Sequence, residues 1–124
     1  MSRVVIHITR NFRRNLEEIR EFLTTTEAEG AFDALLDDLF DAVLPRLECL
    51  PDIGSDFSRR RPTSRESSDL LASLRQRMGP ESQLRELIHG HYILLYARQQ
   101  ANLYLLAIRH HRQLSFDFVD RWLE

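Results

Sequence analysis

Residues 84–109 read LRELIHGHYILLYARQQANLYLLAIR, and this stretch decides the fold. Leu84 to Ile88, His91 to Gln99 and Leu103 to Arg109 are strand-length runs rich in branched and aromatic side chains. They are joined by His89-Gly90 and by Gln99 to Asn102, connections short enough only for antiparallel neighbours. A three-stranded meander follows. The last two runs are apolar on both sides, so both faces need cover: helices on one, and the chain's ends or a partner on the other.

Upstream, the period changes. Arg3 to Thr9 alternates Val4, Ile6 and Ile8 against Val5, His7 and Thr9, a first strand. Phe12, Leu16, Ile19 and Leu23 then recur at helical spacing, with Asn11 the candidate N-cap. Thr26 and Glu29 have the spacing of a capping box, which starts a second helix. That helix buries Phe32, Leu35, Leu36, Leu39, Phe40, Val43, Leu44 and Leu47 and exposes Asp33, Asp37, Asp38 and Asp41. Pro45 predicts a kink or an end near Leu44, because proline lacks the amide and crowds the carbonyl four residues back. The sum is an α+β domain: one N-terminal strand, two antiparallel helices, then the meander.

Between the two halves, Pro51-Asp52-Ile53-Gly54 is turn chemistry, and 55–66 is polar with Arg59-Arg60-Arg61-Pro62 inside it. Ser68 can cap a short helix carrying Leu70, Leu71, Leu74 and Met78 before Gly79-Pro80 ends it. Residues 55–81 thus read as an inserted loop and short helix within one domain of 1–124. After the meander, Leu114, Phe116, Phe118 and Trp122 form an amphipathic tail.

Bulk composition narrows the function classes. The chain is 43% hydrophobic and 29% charged, which is globular rather than disordered. No apolar run approaches the roughly 20 residues of a membrane span, and the N-terminus lacks a signal-peptide pattern, so a cytoplasmic protein is expected. Cys49, the single cysteine, permits no internal disulfide and is expected to be a small buried hydrophobe. Net charge is −2, which gives no overall attraction for nucleic acid. Adjacent histidines on a strand point to opposite faces, and no further Cys, Asp or Glu sits at ligand spacing from His110-His111, so zinc is not expected; no small-molecule cofactor is expected either.

Three segments carry a resemblance. Leu50-Pro51-Asp52-Ile53-Gly54, the hairpin Leu84 to Tyr96 with its Gly-centred turn, and Leu105 to Arg112 with its histidine- and arginine-rich end resemble the RelE/ParE superfamily of toxins, the plasmid-stabilisation proteins of type II toxin-antitoxin systems. The resemblance implies a cognate antitoxin as partner, and as target either DNA gyrase, poisoned by binding, or the ribosome with its messenger RNA. The segment 55–81 is longer than that family's usual link.

Messenger RNA cleavage, the activity of one branch, needs a base for the ribose hydroxyl, an acid for the leaving oxygen and cations for the phosphate. Glu86 or His91 offers the base, His110 or His111 the acid, and Arg85, Arg98, Arg109 and Arg112 the clamp. Alternation sends Arg109 and His111 to one side of the last strand and His110 and Arg112 to the other. Two departures from the cleaving branch favour the binding branch. Ile93 stands where a basic residue is usual, and the tyrosine that often closes the site near the C-terminus is replaced by Arg112 or missing. A non-toxic binding domain of the same fold is the third expectation. The bland readings stand beside these: His7, His89 and His91 as strand or turn residues, Arg59 to Arg61 as a solvated loop, and Tyr92, Tyr96 and Tyr104 as sheet packing.

Overall fold

The short N-terminal strand β1 (Val5–Ile8) leads directly into α1 (Arg10–Thr25). The cap is Thr9 rather than Asn11. Its Oγ1 accepts from the Phe12 amide at 3.2 Å and donates to the Leu105 carbonyl at 2.6 Å, so the same hydroxyl starts the helix and fixes it to the sheet. Asn11 instead lies inside the helix, fully buried. At the other end, Thr24 and Thr25 hydroxyls donate back to the Arg20 and Glu21 carbonyls, which occupies acceptors of the last turn. These elements belong to a computed structural model that describes residues 3–25, 28–56, 72–73, 75–79 and 81–110.

The next helical run begins with α2 (Glu29–Asp38), capped at Ala28 without a side-chain bond; Glu29 is therefore its first residue, not the third of a capping box, and Thr26 lies outside the described residues. Pro45 does not end the run. A π-turn at Leu39–Val43 precedes α3 (Leu44–Cys49), and the Leu44 amide reaches five residues back to the Leu39 carbonyl. The wider turn relieves the clash that a regular helix would force between the Pro45 ring and the Asp41 carbonyl. Phe40, expected in the apolar stripe, is 55% exposed, and Cys49, expected to be buried, is exposed at the end of α3.

The rest of the chain builds the sheet: β2 (Ser55–Asp56), β3 (Gln83–His89), β4 (Tyr92–Gln99) and β5 (Asn102–His110). Strand order is β1-β5-β4-β3-β2, with β1 parallel to β5 and every other pair antiparallel. The antiparallel meander matches the expectation; the parallel partnership of β1 and the small β2 were not anticipated. The helices supply the crossover that a parallel pair requires. One sheet face is covered by Phe12, Ile19, Leu23, Leu35, Leu39, Val43 and Leu47, packed on Leu94, Tyr96, Leu103, Leu105 and Ile108. The second face holds Leu84, Leu95, Ala97, Leu106 and Ala107, with Met78 and Tyr104 against them. Of the expected short helix, residues 72–73 and 75–78 are helical; Ser68, Leu70, Leu71 and Leu74 lie outside the described residues, as does the tail from 111 onward. Among the described residues no helix is long and apolar enough to cross a membrane.

One irregularity in β5 sets which side chains face the helices. Leu95 pairs with Ala107 and Tyr96 with Leu105, so Leu106 is an extra residue, a β-bulge. Leu105 and Ile108 belong to the helix side, whereas Leu106 and Ala107 both belong to the second face. Alternation therefore resumes in the opposite phase. His110 points toward α1, and Arg109 points away. Beyond Ile8, where β1 stops pairing, α1 continues the ladder with side chains: Asn11 Nδ2 donates to the Leu106 carbonyl at 3.0 Å, and Asn15 Oδ1 accepts from the Ile108 amide at 3.0 Å.

Candidate functional site

The candidate residues gather at opposite ends of the sheet. At one end, β3 and β4 hold Arg85 and Arg98 beside the turn that follows α3. Arg98 Nη1 lies 2.7 Å from Asp52 Oδ2, and Arg85 Nε lies 3.4 Å from Asp52 Oδ1. Arg85 Nη1 also donates to the Gly54 carbonyl at 2.7 Å and the Asp52 carbonyl at 3.1 Å. Beneath them the buried Tyr96 hydroxyl donates to the Pro51 carbonyl at 2.8 Å and accepts from the Gly54 amide at 2.9 Å. Gly54 is required here by space: a Cβ would stand 2.7 Å from the Tyr96 hydroxyl and 3.0 Å from the Glu86 carbonyl. Burial pushes the Tyr96 phenol above its usual range; the Gly54 amide, Arg85 and Arg98 oppose this, and Asp52 adds to it.

His89, His91 and His110 occupy the other end. His110 is 9% exposed, and its ring meets Phe22 of α1 at 5.6 Å, Tyr92 edge-on at 5.3 Å and His91 in a stack at 5.9 Å between centroids. His89 Nε2 lies 3.4 Å from Asp38 Oδ2 on α2. Tyr92 pairs with both His89 and His110 across its strand, and burial raises its phenol pKa. Among the described residues no group of three or more His, Cys, Asp or Glu side chains is arranged to hold a metal.

Measured along β4, Tyr92 and Arg98 are six residues apart, about 20 Å at the rise of an extended strand. His110 and Arg98 therefore serve different regions of the surface. Arg109 and Glu86 lie on the second face, away from His110; Glu86 is 5% exposed. The structure thus brings together His91 with His110, and Arg85 with Arg98, but separates the two pairs. His111 and Arg112 lie outside the described residues. Tyr92, Tyr96 and Tyr104 pack against the sheet as expected; Tyr104 lies stacked on His7, 4.7 Å between centroids on the second face.

Sequence reasoning missed three residues that organise this geometry. Asp52 reads from its neighbours only as a turn residue, yet it bridges both arginines. Asn11 and Asn15 carried a weak signal, two short polar residues on the apolar side of an amphipathic helix, a placement that calls for buried partners.

The family model described as ParE toxin of type II toxin-antitoxin system, parDE, matches residues 6–115, which runs from within β1 through β5 and takes in both ends of the sheet just described. No curated protein matches the chain. The N-terminal strand, the helical pair and the meander carry that match in structural form, and the chain belongs to the ParE toxin family of type II toxin-antitoxin systems.

Proposed function

We propose that this toxin inhibits growth by binding a protein target in the cytoplasm, with DNA gyrase the first expectation, and that its cognate antitoxin blocks that binding. Membership of the family carries the toxin role and implies the antitoxin. The binding mode is supported chiefly by the separation, among the described residues, of the histidine pair from the paired arginines. Phosphodiester cleavage requires acid, base and cations around one phosphate. Here the arginine pair is about 20 Å of strand from the histidine pair, and Asp52 occupies both arginines.

One observation favours the second reading, a ribosome-dependent endoribonuclease: His91 and His110 are stacked, two imidazoles side by side. The two readings differ in what induced expression does to a bacterial host. Arrest with intact transcripts and altered plasmid supercoiling, relieved by the neighbouring antitoxin frame, is the expected result. Arrest with cleaved transcripts and unchanged supercoiling overturns the binding reading. Harmless expression at high level leaves a binding domain of the same fold.

A further inference from the structure

Two strands converge on one carboxylate in the turn after α3, and the two arginines that reach it are held very differently. The Arg85 side chain is 15% exposed, and its guanidinium is engaged by the chain itself. Nη1 donates to the Gly54 and Asp52 carbonyls, while Nε and Nη2 donate to Gln83 Oε1 at 3.3 and 3.2 Å. Arg85 therefore keeps its place without the Asp52 carboxylate, whose Oδ1 lies 3.4 Å from Nε. Arg98 has fewer ties. Its Nε donates to the Gln100 carbonyl at 3.3 Å, and Nη1 donates to Asp52 Oδ2 at 2.7 Å. A guanidinium has five N–H bonds, and the remaining ones of Arg98 take no partner among the described residues, on a side chain that is 30% exposed.

Two guanidiniums thus share the single Asp52 carboxylate, which is itself 53% exposed. Exposed ion pairs hold weakly, because water competes for both partners. The backbone of the turn does not depend on this pair: the Tyr96 hydroxyl and Arg85 grip the Pro51, Asp52 and Gly54 peptide groups directly. The Asp52 carboxylate can therefore swing into solvent while the turn stands. We propose that the arginine end is a carboxylate-exchange site: an acidic segment of a protein partner lays a carboxylate across the Nη1–Nη2 edge of Arg98, and Asp52 is the resident competitor it displaces. This rests on the protein-binding reading given above. The ligand is a carboxylate rather than a phosphodiester because Arg85 is already engaged. One free guanidinium satisfies a planar carboxylate in a two-bond fork, whereas a phosphate held for chemistry needs several cations around it.

The test titrates the full chain with a blocked peptide of alternating aspartate and glycine, followed by calorimetry. Asp52→Asn removes the competing charge but keeps the backbone carbonyls on Arg85, and it should bind the peptide about tenfold more tightly than the wild type, the worth of one charge-assisted bond. Arg98→Gln should weaken binding by about as much, and adding Asp52→Asn to it should restore nothing, since the two positions act as one pair. Asp33→Asn removes the same charge from α2 and should leave the affinity within about twofold, as a charge outside the pair does in salt. Four results overturn the site: no binding by Asp52→Asn, equal gains from the two asparagine variants, a gain that survives Arg98→Gln, or tighter binding of a single-stranded oligonucleotide of equal charge by Asp52→Asn. Growth arrest in a host reads the toxin role separately, so the absence of arrest would fail that reading while the peptide titration alone decides the site.

Discussion

The Tyr96 hydroxyl is the hinge of the arginine end, donating to the Pro51 carbonyl and accepting from the Gly54 amide. Tyr96→Phe leaves both backbone groups unpaired under a buried ring, and we expect a loss of about 1–3 kcal/mol in a urea titration. The same hydroxyl predicts an alkaline limit. Its folded pKa is raised, so its contribution is complete below about pH 10 and is lost as pH rises through the higher folded value. Tyr96→Phe should therefore flatten the alkaline fall in stability, and an unchanged slope would point to Tyr92 instead. The turn itself was legible, since Pro51-Asp52-Ile53-Gly54 is local chemistry. Its anchor was not, because Tyr96 lies 42 residues beyond Gly54 and a buried tyrosine reads as packing until its partner is known. Arg85 and Arg98 were likewise legible as cations but not as partners of Asp52.

Elements were legible by period and misjudged at their ends. Helix and strand spacing located α1, α2 and the meander, but Asn11 and Thr9 are both acceptable caps, and only the reach of Asn11 to Leu106 across the fold decides between them. Because Asn11 and Asn15 stand in for a neighbouring strand, Asn15→Ala should cost about 1–3 kcal/mol, the penalty of an unpaired buried amide at Ile108, and should speed exchange of that amide. The π-turn tests the reading of Pro45 in the same way. With Pro45→Ala the ring no longer crowds the preceding turn, so residues 39–49 should close into regular helix, visible as a Leu44 amide bonded four residues back instead of five. Persistence of the wide turn would mean that core packing, not proline, sets it.

For the whole molecule, the parallel pairing of β1 with β5 draws the first described strand onto the last, while the two candidate ends of the sheet lie apart along β4. Growth arrest belongs to this scale. His91→Ala removes an exposed ring from the histidine end without touching the core, so arrest by a binding toxin should persist in it; loss of arrest with a folded chain would restore a chemical role for the histidines. The α+β order could be read in advance, since short connections force antiparallel neighbours. The side chains at the sheet's far end could not, since one extra residue changes the phase of all that follow. In hereditary terms, codon 106 is a place where a three-base loss is absorbed. Deleting it would close the bulge and leave Ala107 on the second face and Ile108 and His110 on the helix side, so every downstream residue keeps both its identity and its face, whereas an added residue beyond the bulge would exchange which charge the helices meet.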